Sequence, residues 1–200
     1  RQFSFTVETA AKLFIDWGDG VLVETEQIAE AWKEGGAIDP TYAYWGATTI
    51  NGTPVGEGIV KIYGDIVYFD CSYSQTYPSK LTSLDVTKAT YLVDINISSN
   101  EIAALDLTNN SMLYKVTADD NATLTTLQLP AESQINSISA VRCALASLDL
   151  STCTSITSLN VNDNTTLGSL DVSACTLLKT LNANNIGLTT IDLSKNVKIT

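Results

Sequence analysis

The chain has no histidine among its 200 residues, which removes the usual general base, the Ser-His-Asp arrangement and the common histidine zinc site. Basic residues are scarce too: 11 Lys plus Arg stand against 22 Asp plus Glu, for a formal net charge of −11. The deficit is spread along the chain, with 5 basic and 11 acidic residues in 1–80 and 6 and 11 in 81–200. Phosphate contacts and anionic headgroups both need clustered Lys and Arg, so nucleic acid and anionic membrane are poor partners. No apolar run approaches the ~18 residues that a membrane-spanning helix requires. The four cysteines form no C-x-x-C pattern, so they do not read as a metal site. Carboxylates alone give no convergent set of acid, base and nucleophile, and an enzyme is not expected.

What the chain does have is 44% hydrophobic residues, enough for a real core, and a phrase repeated from Leu81 to Thr200. The phrase is apolar, polar, apolar, then a polar turn. Examples are Leu84-Asp85-Val86, Ile95-Asn96-Ile97, Leu105-Asp106-Leu107, Val116-Thr117-Ala118 and Leu127-Gln128-Leu129. The phrase continues through Ile138, Leu148, Leu159, Leu170 and Leu181 to Ile191-Asp192-Leu193, each step 10 or 11 residues long. A triplet this short cannot hold as a strand alone. Its two apolar residues point to one face, and stacking the next repeat against it buries them while pairing the backbone. The chain is therefore expected to wind into a solenoid.

Two steps make 21 or 22 residues, and alternate triplets fit the pattern L-x-x-L-x-L-x-x-N-x-L, fully at Leu92, Ile95, Ile97, Asn100 and Ile102. With Leu81-Thr82-Ser83-Leu84-Asp85-Val86, this resembles the nested 21-residue class of leucine-rich repeats. It is especially similar to extracellular repeat proteins of Bacteroidetes bacteria. The resemblance implies a mainly β fold of short parallel strands with few or no helices. It also implies an inward-turned Asn that bonds the backbone of neighbouring coils; that position reads Asn100, Asn121, Cys143, Asn164 and Ile186.

Residues 1–80 lack the period. Phe3, Phe5 and Val7 alternate with polar residues, as do Leu13 and Ile15, and both runs read as strands. Asp16-Trp17-Gly18-Asp19-Gly20 reads as a hairpin turn, residues 25–34 as a short helix ended by Gly35-Gly36, and Asn51-Gly52 as another turn. A further strand is expected from Gly58 to Tyr63. The Trp-Gly-Asp-Gly loop resembles that of the PKD-like domain, which implies a small β-sandwich over residues 1–65. The solenoid is then expected over 66–200, since Ile66, Phe69 and Cys71 already follow the repeat pattern, with Gln75 to Lys80 as an inserted loop. Arg1 is not an initiator and the last half-repeat is incomplete, so the chain is expected to be part of a longer one.

Two faces carry candidate chemistry. Asp85, Asp106, Asp149, Asp171 and Asp192 form a ladder that Gln128 interrupts, with adjacent members about 5 Å apart, one strand spacing, where like charges repel. Either calcium sits between the carboxylates or each accepts hydrogen bonds from its own turn; the turn reading is favoured, and the same holds for Asp16 and Asp19. No cofactor or bound metal is expected. The opposite face carries Asn96, Thr117, Ser139, Asn160 and Asn182, flanked by Asp94 and Lys115. The resemblance implies that this sheet is the usual binding surface, while its small polar residues read equally as a plain solvated face. The expected start of the coils near residue 66 puts Tyr73 and Tyr77 at the domain junction as further binding candidates. Cys153 and Cys175 are equivalent residues one repeat apart, within reach of a disulfide, although buried free thiols are favoured. The expected protein is a monomeric, non-catalytic, extracellular or cell-surface module that binds a protein or glycan, with a spacer or adhesin stalk as the alternative.

Overall fold

The computed structural model describes residues 3–9, 13–24, 33–34, 37–38, 48–72, 80–132 and 134–200. Every regular element in these residues is a strand. The N-terminal part holds β1 (Phe3–Thr9), β2 (Phe14–Asp16), β3 (Leu22–Glu24), β4 (Lys33–Glu34), β5 (Ala37–Ile38), β6 (Thr48–Gly52) and β7 (Lys61–Tyr63). The repeats supply β8 (Ile66–Asp70), β9 (Asp94–Asn96), β10 (Ala104–Asp106), β11 (Lys115–Thr117) and β12 (Thr126–Gln128). They end with β13 (Ser137–Ser139), β14 (Ser158–Asn160) and β15 (Thr180–Asn182).

Strands β9, β11, β13, β14 and β15 pair in parallel and in register, so that Ile95, Val116, Ile138, Leu159 and Leu181 line one row. All but Leu181 are buried, as the apolar-polar-apolar phrase requires. β8 is the hinge between the two styles of pairing. On one side it lies parallel to β9, with Phe69 opposite Ile95; on the other it runs antiparallel to β1, which pairs with β6. One eight-stranded sheet therefore runs across the expected boundary at residues 65 and 66. The core is also continuous, from Phe5, Val7, Leu13 and Ile15 through Phe69 to Cys175, Leu178 and Ile186.

Coils are locked by side-chain amides turned into this core. Asn121 Nδ2 donates to the carbonyls of Ile97 and Ala118, and its Oδ1 accepts from Ile102 N. Asn164 does the same with Ala140, Val161 and Leu145 N, and Asn100 with Cys71, Ile97 and Leu81 N. Cys143 donates its thiol to Ala118 O, and Ile186 fills its slot without a hydrogen bond of this kind, only 1% exposed. The residue before each of these five is left-handed: Ser99, Asp120, Arg142, Asp163 and Asn185 all have φ between 53° and 61°. That conformation costs a non-glycine residue on the order of 1 kcal/mol or more. It also aims the N–H of Ser99, Asp120, Arg142 and Asp163 at carbonyls of the next coil, extending the backbone ladder past the strands.

The other half-repeat uses a second inward row. Asn110 Nδ2 donates to Val86 O and Ala89 O, and Asn196 Nδ2 to Val172 O and Cys175 O. Cys153 and Cys175 occupy the slots between them, and all four cysteines of the chain are buried free thiols. No left-handed residue precedes this row, and its turns close on themselves, as where Cys153 N meets Leu150 O. Here Asn110 Oδ1 and Asn196 Oδ1 are buried without a partner. This half-repeat forms only one strand pair, β10 with β12.

Three expectations are corrected. Asn51-Gly52 is not a turn: both residues lie in β6 opposite Ser4 and Phe3, and the glycine is needed there because a Cβ on Gly52 would run into the Trp17 ring. The turn falls later, at Gly56 and Gly58, which have φ of 58° and 76°, and the strand expected from Gly58 starts at Lys61. The helix expected over 25–34 fails at its end, where Lys33–Glu34 pairs antiparallel with Ala37–Ile38. A Gly-Gly pair between two short runs is as good a hairpin signal as a helix stop. The rest of that expected helix, residues 25–32, lies outside the described residues.

Replacing Asn121 by Ala strands buried carbonyls and an N–H, and is expected to cost about 3 kcal/mol of stability in denaturant unfolding. Asn110→Cys keeps a donor and removes an orphaned oxygen, so it is expected to be neutral or stabilising within about 1 kcal/mol.

Candidate functional site

The outward side of the main sheet is built by alternation: the first and third residues of β9, β11, β13, β14 and β15, and Tyr68 and Asp70 of β8, flank the core-facing residue, one rung about 4.8 Å from the next. The first row reads Tyr68, Asp94, Lys115, Ser137, Ser158 and Thr180, and the second Asp70, Asn96, Thr117, Ser139, Asn160 and Asn182. The two rows thus bring together Asp94, Asn96, Lys115, Thr117, Ser139, Asn160 and Asn182 on one surface. Tyr73 and Tyr77 lie outside the described residues.

The surface changes character along its length. At the β8–β9 end it is closed and tightly bonded. Asp94 is only 3% exposed, with Lys115 Nζ 3.7 Å from its carboxylate, so it presents no free charge to a ligand. Asp70 accepts from the Tyr68 hydroxyl at 3.1 Å, from Asn96 Nδ2 at 3.1 Å and from Ser72 N at 2.8 Å. Burial and the Asp70 charge push the Tyr68 phenol well above its ordinary range, so it stays protonated. Beside this end, Val67 and Val93 pack with Met112 and Tyr114 in a small apolar cluster.

From β11 onward the face opens. Lys115 and Asn182 are exposed, and Thr117, Ser139 and Asn160 are half-buried. The second row is anchored along its margin. Ser139 Oγ donates to Asp119 at 2.7 Å, and Asn160 Oδ1 accepts from Asn162 N at 3.3 Å. Next to it, Arg142 straddles the Asp120 carboxylate, donating from Nη2 at 2.8 Å. This paired guanidinium holds Asp120 below the usual carboxylate range. The result is a polar strip with two exposed cations, Lys115 and Arg142, each beside a carboxylate.

On the opposite side, the aspartate ladder is committed to its own turns. Asp85 accepts from the N–H and hydroxyl of Thr87, and Asp106 from those of Thr108 at 2.9 and 2.6 Å. Asp149, Asp171 and Asp192 accept from Ser151 N, Ser173 N and Ser194 N. These hydrogen bonds hold all five carboxyls below the ordinary value. Asp16 accepts from Gly18 N and Gly20 N, and Asp19 from Val21 N, so the Trp-Gly-Asp-Gly loop is likewise built around its own carboxylates. Among the described residues, no group of three or more His, Cys, Asp or Glu is placed to hold a metal ion. No helix among the described residues is long and apolar enough to cross a membrane.

Sequence reasoning placed one inward row and half of the second: it matched Cys153 and Cys175 as equivalent buried thiols but missed Asn110 and Asn196 in the same row. The signal was present: each follows the last residue of its triplet by three positions, as Asn100 follows Ile97.

Because the ladder carboxyls sit below their unfolded value of about 4, their stabilisation is present above that pH and is lost as pH falls through the lower folded values. The thermal midpoint is expected to hold from pH 7 to 5 and to fall below about pH 4. Asp106→Asn keeps the turn acceptor and should flatten part of that fall. Calcium, with EDTA and magnesium as controls, is expected to leave the midpoint unmoved at neutral pH; a calcium-specific rise would place a metal on the ladder.

No family model matches the chain, and no curated protein matches it. Among solved structures, the functional domain of InlJ from Listeria monocytogenes, which includes a cysteine ladder, is similar at 30% sequence identity with a TM-score of 0.50. The match covers 58% of this chain and 25% of that one, so the chain spans about a quarter of the length of the InlJ chain it matches. The solenoid and this likeness together fit a protein of the leucine-rich-repeat type.

Proposed function

We propose that this chain is a non-catalytic binding module of a secreted or cell-surface bacterial protein, and that it recognises a protein or glycan through the open part of its polar sheet. The observation that carries this reading is the in-register strip of Lys115, Thr117, Ser139, Asn160 and Asn182. Polar side chains repeated at strand spacing suit recognition by many modest polar contacts rather than by a few aromatic anchors. The likeness to a bacterial domain described as functional supports it as well. The absence of histidine, the usual general base, supports the non-catalytic part. The Asp16–Gly20 hairpin supports a PKD-like origin for residues 1–65, and the Leu-Thr-Ser-Leu-Asp-Val phrase supports a Bacteroidetes-type repeat.

A second reading is favoured by one observation: Ser139 and Asn160 are already hydrogen-bonded within the chain. A face whose groups satisfy one another suits a spacer or stalk that holds another domain away from the cell.

The two readings separate in a binding screen against immobilised glycans and surface proteins. Thr117→Arg and Asn160→Arg are outward changes and are expected to leave the thermal midpoint within a few degrees of the parent. A binding module should lose its partner at least tenfold in both variants. Unchanged capture by both variants, with the fold intact, would remove this strip as the recognition surface and favour the stalk.

A further inference from the structure

We draw no further inference here: the strongest candidate, the exposed aliphatic side chains Val21, Leu22 and Val23 on the β2–β3 hairpin with Val55 and Ile59 of the loop beside it, is an unpartnered apolar face, and nothing in the structure shows what covers it.

Discussion

A coil of this solenoid cannot close on its own, because its turns leave main-chain carbonyls pointing into an apolar core. The inward amides of Asn100, Asn121 and Asn164 resolve that conflict, each answering carbonyls from two coils and a backbone N–H of the earlier coil. A buried carbonyl without a donor costs about 1–3 kcal/mol, so several per coil would cancel the gain from burying the apolar triplets. Everything outward depends on this inner row. It fixes the vertical spacing, the spacing fixes the register, and the register turns isolated polar side chains into continuous rows.

The two half-repeats solve the same problem differently, and the difference makes the two faces unlike. Where a left-handed residue precedes the inward side chain, backbone bonding runs on past the strand and a flat sheet results. Where the turn closes on itself, the coil edge is a stack of turns, and its carboxylates cap those turns. The aspartates are thus the mechanism of turning on one face, and the small polar residues are the surface left over on the other. The same chemistry explains cysteine in the second row: a thiol fills the slot without the spare acceptor that Asn110 and Asn196 leave orphaned.

Much of this was legible in the sequence, because a solenoid repeats its instructions. The triplets located β9 to β15, although those that begin at Leu84, Leu148, Leu170 and Ile191 form no strand, and the spacing of Asn100, Asn121 and Asn164 located the principal inward row. What the sequence hid depended on contacts between distant residues. Asn51-Gly52 carries a strong local turn signal, yet both residues pair with Ser4 and Phe3 of β1 in β6, where the Trp17 ring lies against Gly52. Asp94 occupies an outward position by alternation and is still buried, since burial there depends on what packs over the β8–β9 end. The second inward row was only half visible, as the matched Cys153 and Cys175, because its members change identity from Asn to Cys and back. Similarity at 30% identity to the InlJ domain agrees with the repeat reading and leaves the ligand to experiment.

The central claim is that inward amides and left-handed turns carry the coil-to-coil bonding beyond the strands themselves. Native-state amide hydrogen exchange, read residue by residue, tests it most directly. The N–H groups of Ile102 and Leu145, which donate to Asn121 and Asn164, and those of Asp120, Arg142 and Asp163 should exchange as slowly as the strand amides of Val116 and Leu159. Rapid exchange at these turn positions beside protected strands would show that the sheet stands without them, and would contradict the account.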